Sequence, residues 1–413
     1  MIATTRRSFL QGTMAAGALG PLAAGAQPKP KYTGPNLILI RYGGGARRRE
    51  SIDPKHTYSP YLAHTLAKRG VVFNNMVIDQ GGRSRKLNGK AVDTSHGQGT
   101  IYIMTGSYKQ LATAGGGGFD ERFVPPVPTL FERFRNTYNV PEHQTLIINS
   151  EDRKQEEFLT YSATRTAHQR FGFDDRCQIL SLYRFKRFLF PKLLADGKRD
   201  GRNLTAKDRR KLEQELKQLQ SIDQRRKDVE NQHLIQFWTD WRKHYGDSGF
   251  KNPRGDRLLT ELSLRAMKTL RPRMLMVNYT DCDYVHWGIR SHYYNALGIM
   301  DQGIKQIVQA ADTDPFYCDN TLFVVVPDCG RDNNLLADIP FQHHFNTKSS
   351  HEIFTVLFGK GVPASRAYDK EVDQVQVAST IARLMNFPAI TPEEKTKTNV
   401  NGIETRTLLE GLA

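Results

Sequence analysis

Cysteine is scarce in this 413-residue sequence, and long apolar runs are absent beyond its first 26 residues. The four cysteines are Cys177, Cys282, Cys318 and Cys329, and their spacing does not match the disulfide framework of a small secreted domain. The spacing leaves a single Cys177–Cys318 bridge open. Because a transmembrane helix needs about 20 consecutive apolar residues, residues 27–413 contain no segment that we expect to cross a membrane.

Acidic residues are the minority among the charged residues. The chain has 43 Asp and Glu against 59 Lys and Arg, which gives a formal net charge of +16. A basic surface favours anionic partners, such as phosphate or sulfate esters, nucleic acid, or a lipopolysaccharide-bearing membrane. Nucleic acid is the weakest of these, because the aromatic residues are not interleaved with the basic runs as stacking platforms. Solubility alone is the alternative explanation of the charge.

The N-terminus has the pattern of an export signal. Arg6 and Arg7 precede an apolar stretch rich in Ala and Gly, and Ala24-Gly25-Ala26 has the small-x-small form of a cleavage site. We therefore expect residues 1–26 to be a twin-arginine signal peptide that delivers a folded protein to the periplasm or the exterior. A membrane anchor is the alternative, but the run is too short and too rich in small residues to span a bilayer.

Strand-like and helix-like segments alternate along most of the chain. This alternation predicts an α/β fold, in which a mostly parallel sheet is sandwiched between helices. The predicted strands are 36–40, 71–77, 145–149, 274–277, 322–326 and 352–359, and the predicted helices include 60–69, 127–135, 293–310 and 372–384.

The composition changes between residues 163 and 259. Lys, Arg, Gln and Glu are frequent there, β-branched residues are few, and residues 207–219 predict a charged helix. We interpret 163–259 as a basic helical insertion or cap, and 27–162 with 260–413 as the α/β domain. The basic face of the insertion either contacts substrate or is an ordinary solvated helix surface.

Three short segments in the last third carry metal-type ligands. The segments contain Asp281 and Asp283 with His286, then Asp328 with Cys329, then the His343–His344 pair. Two of them follow an apolar strand, and the ends of parallel strands form the mouth at which α/β folds bind ligands. Asp and His are ligands of zinc-like divalent metals. The sequence therefore predicts a metal site at this edge of the sheet.

The order of motifs resembles the alkaline phosphatase superfamily, in its type I phosphodiesterase and sulfatase branch, with the chain as a divergent member. The motifs span roughly residues 35–385 and leave out the helical block. In chain order they are Thr105-Gly106-Ser107-Tyr108, Pro128-Thr129-Leu130-Phe131, Asp283 and His286-Trp287-Gly288, Asp328-Cys329-Gly330, and His343-His344 ahead of Gly359-Lys360-Gly361.

The resemblance implies a metal-dependent hydrolase of phosphate or sulfate esters. Two divalent metals would clamp the transferred group while a coordinated hydroxyl attacks it. Asp283, His286 and His343 or His344 would bind one metal, and Asp328 would bind the other together with the nucleophile. Asp281 is an alternate ligand. Zinc is the expected metal, with manganese or calcium as alternatives, in one or two ions.

The sequence departs from the family pattern at the second metal. The first strand ends in Arg41-Tyr42-Gly43, where the family has a ligand Asp, and Glu50 or Asp53 are candidates to replace that carboxylate. Cys329 stands where the family has a His. A thiolate is a competent zinc ligand, so Cys329 is either a substitution in kind or a loss.

The nucleophile is ambiguous. The family spacing counted back from Thr105-Gly106 lands near His96, with Thr94 and Ser95 one or two positions away. Thr94 or Ser95 is the predicted nucleophile, and either is equally well explained as a helix N-cap. His96 is a core or capping histidine, a phosphate contact or a general acid.

Gly44, Arg47 and Arg48 are the predicted anion-binding residues, since backbone N–H groups and guanidinium groups bind phosphate and sulfate. Two functions remain. The first is an exported hydrolase of phosphate or sulfate esters. The second is a catalytically degraded relative that binds an anionic glycan, lipid or envelope partner through its basic face.

Overall fold

The computed structural model describes most of the chain in eleven stretches. The predicted signal peptide, Cys177 and His344 lie outside the described residues. None of the described helices is long and apolar enough to span a bilayer. The described residues are 28–79, 86–87, 90–92, 94–108, 127–149, 178–222, 231–250, 255–332, 341–343, 347–389 and 404–412.

The described strands are β1 (Asn36–Arg41), β2 (Gly70–Val77), β3 (Lys86–Leu87), β4 (Lys90–Ala91), β5 (Thr145–Asn149), β6 (Gln178–Leu180), β7 (Lys198–Arg199), β8 (Arg202–Asn203), β9 (Met274–Asn278), β10 (Thr321–Val326), β11 (Glu352–Gly359), β12 (Arg366–Tyr368) and β13 (Val372–Asp373). Nine of them form one sheet, in the order β12-β2-β11-β10-β1-β9-β5-β6 with β13 also paired to β2. Strand β11 is antiparallel to its neighbours β10 and β2, and the other pairs are parallel.

Helices cover both faces of this sheet, which confirms the α/β prediction. The described α-helices are α1 (Arg48–Ser51), α2 (Ala67–Arg69), α3 (His96–Thr105), α4 (Leu130–Thr137), α5 (Leu182–Asp196), α6 (Ala206–Ile222), α7 (Gln232–Tyr245), α8 (Asp256–Thr269), α9 (Arg290–Thr313), α10 (Lys348–His351) and α11 (Gln376–Leu384). Shorter 3₁₀ or π turns occupy Tyr61–Leu66, Glu142–Gln144, Gly246–Ser248, Asp281–Trp287 and Leu408–Leu412.

The side chains of β1 alternate between the two faces of the sheet and contribute to two separate layers of the core. Ile38 and Ile40 pack with the apolar sides of α5, α7, α8 and α9, whereas Leu37 and Leu39 pack with α3, α4 and α11. Successive side chains of a strand point to opposite faces, so a continuous apolar strand needs helices on both. Strand β1 is therefore central, and its carboxyl end is enclosed from both sides.

The helical segment predicted at 163–259 includes one strand of the main sheet. Residues Gln178–Leu180 form the edge strand β6, parallel to β5, and α5, α6 and α7 follow it. Phe185, Trp238 and Trp241 bury this segment against the layer of α8 and α9. Helix α6 exposes most of its charged residues, as a solvated surface does.

Two predicted helices begin later than their sequence patterns indicate. The helix predicted at 127–135 begins at Leu130, and the segment predicted at 372–384 begins as a strand. Val372 and Asp373 pair with β2 as β13, and α11 starts at Gln376. Cys318 is a free cysteine, as are Cys282 and Cys329. The other cysteine of the possible Cys177–Cys318 bridge lies outside the described residues.

Candidate metal centre

Three adjacent strands end at the same edge of the sheet. Arg41, the last residue of β1, lies in register with Asn278 of β9 and Val326 of β10. Helix α3 closes this edge from one face, and its approach depends on Gly99, where a Cβ atom would lie 2.0 Å from the carbonyl oxygen of Asp328. The loops after β1, β9 and β10 therefore meet the start of α3.

Asp283 and His286 lie on the 3₁₀ turn Asp281–Trp287, which follows β9. Residues three apart eclipse each other in such a turn, so the two side chains share a side. Oδ1 of Asp283 is 2.7 Å from Nε2 of His286 and 3.6 Å from Nε2 of His343. The structure thus brings together three of the predicted metal ligands.

Oxygen acceptors fix the proton on each of these rings. Nδ1 of His343 is 2.9 Å from the carbonyl oxygen of Thr94, and Nδ1 of His286 is 2.7 Å from the side-chain oxygen of Gln342. When Nδ1 donates to these oxygens, Nε2 is the nitrogen of each ring that is left to bind a metal. The two Nε2 atoms are 3.0 Å apart, and two lone pairs repel at that distance unless a cation lies between them.

His96 brings a third imidazole to the same point. Its Nδ1 donates to Oδ2 of Asp328 at 2.9 Å, and its Nε2 is 2.7 Å from Oδ1 of Asp283. Burial lowers the pKa of His96, but the charges of Asp283 and Asp328 outweigh burial and raise it well above its ordinary value. The same pairing outweighs burial at Asp283 and holds the pKa of that carboxyl well below its usual range. The cluster therefore favours a cation.

The donor set fits a divalent metal. The ligand atoms of His96, Asp283, His286 and His343 all lie within 4.8 Å of one another. Zinc takes imidazole nitrogen and carboxylate oxygen at about 2.0–2.2 Å in a tetrahedral arrangement. His343 is buried, but the side chains of His96, Asp283 and His286 are 20%, 17% and 24% exposed. The centre is therefore buried at His343 and accessible to solvent at the other three ligands.

A second group, His96 with Asp328 and Cys329, also lies within 4.8 Å, but its atoms are already engaged. Oδ1 of Asp328 accepts the backbone N–H groups of Gly45 and Cys329 at 3.1 and 2.8 Å. Oδ2 accepts from Gly44 at 3.3 Å and from His96. Burial raises the pKa of Cys329 to about 11, so in the absence of a bound metal the group is a neutral thiol at pH 7.

Two buried guanidinium groups complete the centre, and the sequence predicts a role for neither. Arg331 donates to Oδ1 of Asp283 at 2.7 Å and to the carbonyl oxygen of Phe341 at 2.6 Å. Arg41 lies 3.9 Å from Oδ2 of Asp328. The sequence could have drawn attention to Arg41, because it ends β1 at the position where a carboxylate was expected. Nothing in the sequence distinguishes Arg331, apart from its place after Gly330.

The two candidate nucleophiles have different surroundings. The hydroxyl of Thr94 donates to the carbonyl oxygen of His343 at 2.5 Å and is buried. Ser95 is the N-cap residue of α3, but its side chain makes no capping hydrogen bond. Its Oγ is buried and has no hydrogen-bond partner among the described residues. Of the two hydroxyl groups, that of Ser95 is the one not committed to the fold.

The structure does not bring Arg48 and Glu50 into the centre. Arg48 donates to the carbonyl oxygens of Met76 and Ile353 at 2.6 and 2.7 Å, so it joins loops rather than binding an anion. Glu50 is paired through both carboxylate oxygens with Arg47. This carboxylate therefore does not replace the missing ligand of the first strand.

Asp281 and Gly44 are likewise engaged in the fold. The carboxylate of Asp281 accepts the backbone N–H of Asp256 at 2.9 Å, at the N-terminus of α8, and it does not join the metal-type groups. Gly44 uses its N–H for Asp328. Arg47 stacks over Phe341, with its guanidinium carbon 4.4 Å from the ring centre. Of the three predicted anion-binding residues, only Gly44 contacts a residue of the centre, and Arg47 and Arg48 are engaged elsewhere in the fold.

Neither a family model nor a curated protein matches this sequence. Solved structures resemble its fold. A protein of the alkaline phosphatase superfamily from Vibrio parahaemolyticus is 13% identical with a TM-score of 0.49, over 90% of this chain and 72% of that one. The lipoteichoic acid synthase LtaP from Listeria monocytogenes is 11% identical with a TM-score of 0.47, over 86% and 73%. A putative sulfatase from Bacteroides thetaiotaomicron is 10% identical with a TM-score of 0.47, over 90% and 76%.

These three proteins are similar to the chain in fold alone, at an identity too low to transfer a role to any residue.

Proposed function

We propose that this protein is an exported, metal-dependent hydrolase of phosphate or sulfate esters with a single-metal centre. One observation carries the proposal: three imidazole Nε2 atoms and one carboxylate oxygen converge, each imidazole having its other nitrogen engaged by an oxygen acceptor. Zinc is the metal that this ligand set suits best. A bound divalent ion supplies a Lewis acid that polarises the ester and lowers the pKa of water.

The protein's own residues supply orientation. Thr94 and Gln342 hold the rings of His343 and His286 through Nδ1, and Asp328 does the same for His96. Such outer contacts raise the basicity of histidine ligands and fix their direction. Ser95, immediately before His96, is the proposed nucleophile, because its hydroxyl group is not used in the fold.

Substrate contacts are proposed at the exposed rim. Arg290 is exposed and lies four residues after His286, with its guanidinium carbon 5.9 Å from the ring centre of Phe341. Tyr284, on the same 3₁₀ turn as the ligands, is 41% exposed. A guanidinium group binds a phosphate or sulfate oxygen, and an aromatic face covers a sugar or aryl group. These residues fit a small anionic ester or an ester on an anionic glycan or lipid.

Hydrolysis of three model esters tests the function. Purified protein loaded with zinc, manganese or calcium is assayed with p-nitrophenyl phosphate, bis-p-nitrophenyl phosphate and p-nitrophenyl sulfate. We expect turnover of at least one ester, its loss with a chelator, and its recovery with zinc. Absence of turnover with all three metals would favour the second function, a protein that binds anionic glycan or lipid without catalysis.

A further inference from the structure

Arg41 is an unusual residue for the centre of a sheet. It ends the central strand β1 and is completely buried. Its Nη1 donates to the hydroxyl of Thr100 at 2.8 Å, and its Nη2 donates to the carbonyl oxygen of Tyr279 at 3.3 Å. A buried guanidinium is costly unless an anion balances its charge. The carboxylate of Asp328, 3.9 Å away and equally buried, provides that charge.

Both carboxylate oxygens of Asp328 are already engaged by donors of the protein. A carboxylate offers about four lone-pair sites. Two are used on Oδ1, by the N–H groups of Gly45 and Cys329, and two on Oδ2, by the N–H of Gly44 and by Nδ1 of His96. A metal ion bound to Asp328 would have to displace one of these donors and stand beside the charge of Arg41.

We propose that Arg41 is a built-in cation that takes the place of a second metal ion, so that the centre binds one divalent ion per chain. The motif order leads us to expect a two-metal site with a carboxylate at the end of the first strand, and this chain has a fixed positive charge there instead. The inference rests on the metal centre of the proposed function and not on ester hydrolysis.

Arg41 is by this account a positioning residue. Its charge fixes Asp328, and Asp328 holds Nδ1 of His96 at 2.9 Å, so that Nε2 of His96 faces Oδ1 of Asp283, where these residues would hold a metal. The substitution Arg41→Asp changes the local charge by two units, which equals the charge of one divalent ion. The same substitution restores the carboxylate that a second metal requires.

Zinc stoichiometry tests the proposal without an activity assay. Chelator-treated protein is titrated with Zn²⁺ by calorimetry, and bound zinc is measured by metal analysis after dialysis. We expect one equivalent for the wild type, two for Arg41→Asp and one for Arg41→Lys. The matched control is Arg69→Asp, a surface arginine paired with Asp312, and it should keep one equivalent. Circular dichroism verifies that each variant is folded.

The outcomes separate the two proposals. Two equivalents in the wild type would overturn the role of Arg41 and leave the hydrolase standing, whereas none would remove the metal centre and both proposals with it. A folded Arg41→Asp protein with one equivalent would also overturn the role of Arg41. If Arg41→Met is used because Arg41→Asp does not fold, two ions, or one ion bound at least tenfold more weakly, supports the proposal, and one ion bound with unchanged affinity contradicts it.

Discussion

His286 and His343 each use Nδ1 for a hydrogen bond to an oxygen, which aims both Nε2 atoms at one point. We predict that His286→Ala removes the stabilisation that zinc gives to the folded protein. A ligand at a hundred times its dissociation constant stabilises the folded state by about 2.7 kcal/mol, so the loss is measurable as a smaller rise in melting temperature on adding zinc. His292→Ala, an exposed histidine on α9, is the control and should keep the full rise.

Ser95 and Thr94 should separate in a second experiment. Ser95→Ala removes a hydroxyl that makes no capping bond, so stability should change by less than about 1 kcal/mol while kcat falls by at least about 10³-fold. Thr94→Val breaks the hydrogen bond to the buried carbonyl of His343 and should cost about 1–3 kcal/mol of folding free energy. Urea unfolding and steady-state kinetics measure both. An active Ser95→Ala enzyme would exclude Ser95 as the nucleophile.

At the scale of the elements, strand ends explain what the sequence could predict. Asp283, His286 and Asp328 follow buried strands, and parallel strands place their ends together. Local sequence patterns therefore predict that these three residues lie near one another. The role of His96 could not be predicted from such patterns, because it depends on contacts 187 and 232 residues away along the chain, with Asp283 and Asp328. The charge at Arg41 was visible in the sequence, but its partner across the sheet was not.

The same limit applies to the loop after β1. Its glycines and arginines have the composition of an anion-binding loop, which led to the prediction for Arg48. In the structure, Arg48 donates to carbonyl oxygens of β2 and β11. Composition alone does not distinguish a guanidinium group that binds substrate from one that satisfies backbone acceptors.

The junction between β5 and the helical segment is predicted to be sensitive to acid. His143, just before β5, stacks on His233 of α7 with ring centres 3.8 Å apart. Burial and the charge of His233 lower the pKa of His143 from 6.5 to about 4. As pH falls, the unfolded chain therefore takes up the proton first. The stabilising contribution of His143 is complete above about pH 6.5 and is lost as pH falls to about 4.

Urea unfolding between pH 7.5 and 4.5 checks this prediction. His143→Phe keeps an aromatic ring for the stack and cannot be protonated, so its stability should fall less with acid than that of the wild type. Carboxylates titrate in the same range and contribute equally to both proteins. His244→Phe alters an exposed histidine of α7 and should leave the wild-type slope unchanged. Equal slopes for wild type and His143→Phe would refute the prediction.

At the scale of the whole molecule, the net charge, +16 for the full chain and 16 − 2 = +14 after loss of Arg6 and Arg7 with the signal peptide, should attract anionic esters over long distances. Salt shortens this attraction, since the Debye length falls from about 10 Å at 0.1 M to about 3 Å at 1 M. We therefore predict that KM for an anionic ester rises with sodium chloride while kcat stays constant. Initial-rate kinetics at several salt concentrations measure this, and a KM that does not vary with salt would mean that the charge serves solubility alone.

Export of the folded chain is the last prediction. Arg6 and Arg7 stand before an apolar stretch rich in small residues, a pattern read by the twin-arginine route. In a bacterial host, replacing both arginines with lysine should leave the longer precursor inside the cell, because the receptor reads the arginine pair and not its charge. Fractionation and mass spectrometry of the N-terminus measure this, with cleavage expected after Ala26. Lys31→Ala, an exposed residue beyond the signal, should be exported normally, and export of the double-lysine variant would disprove the assignment.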